Sequence, residues 1–143
     1  MSWWRQLKQR WLPAPEPEHL RRGRLGERAA RKHLSRLGLK FLTANFRSDR
    51  GEIDLVFRDD QCLVFVEVKT RSSEEWTRPA AAVNAGKQRR LSQAALDYLK
   101  LLKQPSVKLR FDIVEVLLAE DQSVREIRHL PNTFHLAAPY RYG

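Results

Sequence analysis

A single cysteine, Cys62, rules out an intrachain disulfide and fits a reducing compartment, the cytoplasm, with burial as its expected role. No apolar run approaches the roughly 20 residues that span a bilayer, and the N-terminus lacks a signal-peptide core. The histidines, His19, His33, His129 and His135, lack metal-ligand spacing and have no cysteine pair beside them. Glycine is scarce and there is no Walker A loop; Gly23-Arg24-Leu25-Gly26 is too little to cradle a phosphate.

Positive charge is what the chain has in excess. Its 143 residues carry 27 Lys+Arg against 17 Asp+Glu, a formal charge of +10 that attracts polyphosphate and speeds encounter with it. Charge alone does not choose between nucleic acid, anionic lipid and general solubility. With 42% hydrophobic residues, a chain of this length suggests one domain around one core.

The most informative stretches are Gly51-Glu52-Ile53-Asp54-Leu55-Val56 and Phe65-Val66-Glu67-Val68-Lys69-Thr70. Apolar and polar residues alternate with a period near two, so both read as β-strands joined by the turn residues Arg58-Asp59-Asp60-Gln61. Ile53, Leu55 and Phe57 are expected to point one way from the first strand, and Glu52, Asp54 and Val56 the other. Leu63, Phe65, Glu67 and Lys69 share a face of the second. An Asp59-Asp60 turn places Asp54 opposite Phe65 and Glu52 opposite Glu67. Asp54, Glu67 and Lys69 then project from one side, with Asp54 diagonal to Glu67 and Cα atoms roughly 7–8 Å apart. A slip of one residue would send Asp54 to the other face. The apolar run from Cys62 to Val66 suggests a buried strand rather than an edge.

Two carboxylates at that separation suit a hard divalent cation, Mg²⁺ or Mn²⁺, bound through oxygen with places left for water and a phosphate oxygen. A cation there polarises the scissile phosphate and counters charge on the leaving oxygen. Lys69 is placed to orient the attacking water or stabilise developing negative charge. The competing reading is a solvated polar face.

A helix is expected over residues 20–37, stopped by Gly38, with Glu27 on the apolar stripe of Ala30, Leu34 and Leu37. A carboxylate there needs compensation; a metal, a salt bridge or the helix dipole would each supply it. A second helix is expected over residues 84–102, where Gln88 heads the stripe Leu91, Ala95, Tyr98 and Leu102. Gln88 could bond a phosphate or metal-bound water, and Lys87, Arg89 and Arg90 could hold a nucleic-acid backbone; a solvated helix start is the alternative. Trp76 and Arg78 fall in the connecting loop, as base-stacking candidates or as packing. Residues 107–117 read as a strand with Val107, Leu109, Phe111 and Ile113 inward and Lys108, Arg110 and Asp112 outward, and residues 124–130 as a weaker strand ending at Pro131. Helix, two or three strands, helix and two strands imply an α/β fold, a mixed sheet with helices packed on it.

Trp3, Trp4, Leu7 and Trp11 follow helical spacing with basic residues between, an amphipathic segment able to contact another protein, a membrane surface or the domain itself. Pro13-Ala14-Pro15-Glu16-Pro17 follows as a stiff linker. The expected division is residues 1–18 as this segment and linker, 19–136 as the folded domain and 137–143 as a tail.

Gly26-Glu27, Gly51-Glu52-Ile53-Asp54-Leu55, Phe65-Val66-Glu67-Val68-Lys69-Thr70-Arg71, Lys87-Gln88 and Arg110-Phe111-Asp112 together resemble the YraN family. These are small bacterial proteins of the restriction-endonuclease-like PD-(D/E)xK superfamily, distantly similar to archaeal Holliday junction resolvases. The resemblance spans residues 22–134. It implies a restriction-endonuclease-like central mixed β-sheet flanked by helices, with Asp54, Glu67 and Lys69 in the nuclease-core positions. Glu27 matches the helical acid and Gln88 the helix-borne glutamine of related nucleases, and Arg71 joins Lys87, Arg89 and Arg90 as a nucleic-acid contact. The proline that names the superfamily is absent, since Ile53 precedes Asp54.

The expectation is therefore a metal-dependent endonuclease that cuts DNA, with branched DNA among its substrates. Asp54, Glu67 and Glu27 are the metal ligands, Lys69 and Gln88 complete the catalytic set, and a homodimer is left open. Its rivals are a nucleic-acid-binding module with little catalysis and a peripheral membrane or scaffold protein.

Overall fold

The computed structural model describes residues 16–76 and 83–143, so the tryptophan stripe, Pro13, Pro15 and Arg78 lie outside the described residues. The elements run α1 (Glu18–Arg36), β1 (Lys40–Ser48), β2 (Gly51–Asp59), β3 (Cys62–Arg71), a short α2 (Ser73–Trp76), α3 (Ala85–Leu101), β4 (Lys108–Leu118) and β5 (Val124–Phe134). The five strands form one sheet in the order β1-β2-β3-β4-β5. Only β3 and β4 are parallel, and their connection carries α3; the other neighbours are antiparallel. The chain is thus α/β, with the restriction-endonuclease-like arrangement of a central mixed sheet between helices.

Each helix covers one sheet face because β3 is apolar on both. Leu63 and Phe65 pack with Leu91, Ala94, Ala95, Tyr98 and Leu99 of α3, while Val64 and Val66 pack with Ala30 and Leu34 of α1. Full burial of each such large side chain contributes about 1.5–3 kcal/mol. The run from Cys62 to Val66 accordingly lies in a central strand, as expected. Asn84 caps α3 by accepting from the Lys87 amide at 2.8 Å, and Gly38, at φ +97°, lets the chain turn out of α1.

Four local expectations need correction. The hairpin turns on Asp60-Gln61, with Asp59 opposite Cys62 and Val56 opposite Phe65, so the register is two residues further along β3 than an Asp59-Asp60 turn gives. Asp60 adopts a left-handed φ of 53°, which aspartate tolerates, and Arg58 Nε donates to its carbonyl at 2.8 Å. Second, Ile53 packs in the α3-side cluster, whereas Leu55 and Phe57 lie under α1. The alternation breaks where Asn45, across from Asp54, takes a left-handed φ of 53°. Third, Asp112 does not face outward. Its side chain is wholly buried, bonded by Arg110, by His129 at 2.7 Å and by the Asn132 amide at 2.9 Å, because β4 is covered on both faces. Fourth, β5 continues through Pro131 to Phe134, which an edge strand permits since the missing N–H can face away from the ladder.

Residues 137–143 lie back on the domain. The Ala137 amide donates to Ser92 Oγ at 2.9 Å, the Gln93 amide bonds the Tyr140 hydroxyl, and Tyr142 packs against the α3-side core. Among the described residues no helix is long and apolar enough to cross a membrane.

Candidate active site

Past Phe65 the α3-facing row of β3 turns polar, presenting Glu67, Lys69 and Arg71 beyond the start of α3. The β2–β3 ladder runs as far as Leu55–Val66, and its register carried one step further brings Asp54 level with Glu67. The two-residue shift preserves parity, and both acids line the same two cavities. Asp54 Oδ2 accepts a hydrogen bond from the Val68 amide at 2.8 Å, binding the carboxylate to β3 where the recorded ladder ends. Glu52, expected opposite Glu67, instead pairs with Arg47 of β1 at 3.1 Å.

Two glycines bring the helices up to these strands. A Cβ on Gly51 would stand 2.6 Å from the Arg90 carbonyl oxygen, and one on Gly26 would overlap the Thr70 hydroxyl. Gly51 therefore admits the start of α3, with Lys87 and Arg90, against the hairpin, and Gly26 admits α1, with Glu27, against β3. Arg50 clamps the same contact by gripping Asp97 of α3 with Nη2 at 2.6 Å and Nε at 3.2 Å.

Asp54 and Glu67 line two cavities. One, of about 720 Å³, opens between the β1–β2 turn and α3, where Arg47, Arg50, Lys87 and Arg90 bring positive charge beside Asp49, Glu52 and the two acids. The other, of about 340 Å³, opens toward α1 and is lined also by His19, Arg22, Glu27 and Thr70.

The electrostatics follow from this crowding. Burial pushes the Asp54 carboxyl up to about 7, with the Glu67 charge adding to the rise and the Val68 amide opposing it. The Glu27 carboxyl is also raised, by burial and then by the charges of Glu52 and Glu67, while a hydrogen bond with Asn45 opposes the shift. Lys87 Nζ sits 2.5 Å from Glu67 Oε1 and supplies local counter-charge. Lys69 is half-buried; desolvation, then Arg71, lowers its pKa, and Glu67 and Glu115 partly offset this.

The structure brings Asp54, Glu67 and Glu27 around one cavity, with Lys69 two residues along β3. Lys87 and Arg90 reach the other, Arg89 is exposed, and Arg71 bonds Glu115 Oε2 at 3.2 Å. Gln88 lines neither cavity; its Nε2 donates to the Val83 carbonyl at 2.8 Å, tying the start of α3. Trp76 is held by Glu126 at 2.8 Å and by the Arg128 guanidinium 3.5 Å over its ring. Glu115 escaped the sequence reading. Only 3% exposed and level with Lys69 in the β3–β4 register, it had one signal, a lone acid within Ile113-Val114-Glu115-Val116-Leu117.

Glu27, Asp54 and Glu67 are an all-oxygen donor set, the chemistry a hard divalent cation prefers, and the burial and like charge that raise the Glu27 and Asp54 carboxyls are what such a cation would relieve. Among the described residues no three acidic, histidine or cysteine ligands already stand in a metal-holding arrangement. Lys87 bonds one oxygen of the Glu67 carboxylate, so a cation binding there would take the other oxygen or displace the lysine.

Comparison with known proteins gives the lineage. The model of the uncharacterised protein family UPF0102 matches residues 26–116, more than half of the chain. A UPF0102 protein of Trichlorobacter lovleyi is 43% identical over 116 residues, covering 80% of this chain and 91% of its own length. One from Geobacter metallireducens is 43% identical over 115 residues, 80% and 93% respectively. One from Geobacter sulfurreducens is 39% identical over 128 residues, 88% and 99%. The matched span runs from Gly26 through both acids to β4, and the chain belongs to UPF0102, the YraN family.

Proposed function

We propose that this protein is a metal-dependent endonuclease that hydrolyses phosphodiester bonds of DNA in the cytoplasm, with branched DNA among its candidate substrates. The observation that carries the reading is the opposition of Asp54 and Glu67 at the junction of two cavities, one rimmed by Arg47, Arg50, Lys87 and Arg90. Asp54, Glu67 and Glu27 would hold Mg²⁺ or Mn²⁺, which when bound supplies Lewis acidity to the scissile phosphate and the attacking water.

The remaining work falls to the chain itself. The Val68 amide fixes one oxygen of Asp54, and Asn45 steadies Glu27, so the acids are held before substrate arrives. Lys87 and Arg90 bind the phosphate backbone at the rim and orient it over the acid pair. Lys69, partly desolvated beside Glu67, stabilises negative charge as it develops on the phosphate. The low electrostatic screening of a half-buried site strengthens each of these contacts.

One observation favours a second reading. Lys87 already neutralises Glu67, an arrangement that also suits a nucleic-acid-binding protein that keeps the nuclease fold without its chemistry. A cleavage screen over linear, single-stranded and branched DNA with Mg²⁺ or Mn²⁺ separates the two. Metal-dependent products support the endonuclease. Tight binding without products at saturating metal assigns the protein to the second reading.

A further inference from the structure

α1 carries seven cations, Arg21, Arg22, Arg24, Arg28, Arg31, Lys32 and Arg36, against two acids, Glu18 and Glu27. Its apolar side, Gly26, Ala30 and Leu34, is buried on the sheet. Arg21, Arg24, Arg28, Lys32 and Arg36 follow one another at spacings of three or four and are all exposed, forming one stripe on the side away from the sheet. At about 1.5 Å per residue the stripe is roughly 22 Å long.

This stripe works against the helix that bears it. Like charges at i,i+3 and i,i+4 each destabilise by about 0.2–0.5 kcal/mol, and here four such steps run in succession. The positive N-terminal end of the helix dipole opposes Arg21 as well, whereas the C-terminal end favours Arg36. Arg24 pairs with Glu16 and Arg31 lies over the Phe41 ring, but among the described residues Arg21, Arg28, Lys32 and Arg36 have no acidic partner. An interleaved surface would have cost less and kept the protein as soluble.

We infer that the outer face of α1 is a second DNA-binding surface, a track for the phosphate backbone of a duplex segment separate from the one at the acid pair. This rests on the DNA reading above and extends it to a second face of the molecule. A duplex fits better than a single strand, because the helix has no Phe, Tyr or Trp on which unpaired bases could stack. It also fits better than a membrane surface, because the apolar side that a lipid-bound helix would insert is already packed on the sheet. Arg22, which lines the acid cavity near the start of α1, joins the two surfaces.

The test uses the full chain with a chelator present, so that binding is read without cleavage. Fluorescence anisotropy follows binding to a duplex about 30 base pairs long across a salt series, for wild type and for R21Q/R28Q/K32Q. Each phosphate contact contributes about 0.9 to the slope of log affinity against log salt, so the variant slope should be shallower by roughly 2–3. R21K/R28K, which keeps the charge, should retain the wild-type slope, and single-strand affinity should fall less than duplex affinity. Should the triple variant fold poorly, Arg28→Gln alone should flatten the slope by about 0.9. An unchanged slope with wild-type duplex binding overturns the α1 track and leaves the DNA reading standing. Equal losses in the glutamine and lysine variants, or lost binding to anionic phosphatidylglycerol vesicles with duplex binding intact, also overturn it. Failure of the wild type to bind any duplex overturns the track and the DNA reading together.

Discussion

Lys87 Nζ lies 2.5 Å from Glu67 Oε1, so the first turn of α3 places its own cation on one of the two opposed acids. The ion pair joins residues twenty positions apart and spans the strand and helix that form the larger cavity. On the proposed reading, a cation and the lysine compete for the Glu67 carboxylate. A divalent ion that takes Oε1 of Glu67 would displace the lysine, which would then be free to meet a phosphate.

From this competition it follows that Lys87→Ala should bind Mn²⁺ more tightly than wild type in the absence of DNA. An exposed ion pair is worth about 1 kcal/mol at most, and with Glu67 buried and only Lys87 part-exposed the gain should be at least severalfold. DNA affinity should fall in the same variant. Calorimetric titration with the metal alone checks the first part; equal metal affinities would show that Lys87 does not compete for the site.

Asp54 gives a prediction with a definite sign. Its folded pKa of about 7 stands above the ordinary 3.8, so the folded chain holds this proton more tightly than the unfolded one. The stabilisation is fully present below the unfolded pKa and is lost as pH rises through about 7. Asp54→Asn keeps an oxygen for the Val68 amide while removing the buried charge. It should therefore raise the metal-free melting temperature at pH 8 and flatten its pH dependence between about 4 and 7. Adding Mg²⁺ should stabilise wild type more than the variant. Thermal melts with and without metal read both effects.

Lys69→Ala should abolish cleavage with little loss of DNA affinity, since one lysine supplies a small part of the attraction of a +10 chain. Anisotropy and a cleavage assay on the same preparation check this. A loss of binding matching the loss of cleavage would make Lys69 a backbone contact instead.

The buried acid on the other side of the sheet calls for a different outcome. Burial alone would raise the pKa of Asp112, yet bonds from His129, the Asn132 amide and Arg110 hold it below the ordinary carboxylate range. Its stabilisation is present above the ordinary value and lost as pH falls through the depressed one. Asp112→Ala leaves His129 and the Asn132 amide without their acceptor, while Arg110 keeps Asp59, and should cost about 1–3 kcal/mol. Denaturant unfolding measures it, and a cost below about 1 kcal/mol would show that the network is not structural.

Much of this was legible in the residues because alternation fixes parity. Glu67, Lys69 and Asp54 had to share a side whichever of two adjacent dipeptides formed the turn, and the shift from Asp59-Asp60 to Asp60-Gln61 moved the register by two residues, which keeps that parity. Both long helices were visible in their apolar spacing, and the first also in its stop at Gly38. Period-two alternation failed at Asp112, whose polar character suggested solvent although β4 is covered on both faces. It failed at Ile53 because a left-handed Asn45 interrupts the pleat. The Lys87–Glu67 pair could not be read at all, because it depends on how closely α3 approaches the hairpin at Gly51. The tightness of that approach has its own consequence: Gly51→Ala should force the start of α3 outward, at a cost of about 1–3 kcal/mol.

The most direct measurement is nicking of supercoiled plasmid by wild type and Asp54→Asn, each with Mg²⁺, with Mn²⁺ and with chelator. The expected result is nicked product from wild type only when metal is present, and none from the variant although it still binds the plasmid. Nicking that persists in Asp54→Asn, or in chelator, would contradict a metal site built on Asp54 and Glu67. Wild type that binds the plasmid at saturating metal yet leaves it intact would contradict the endonuclease itself.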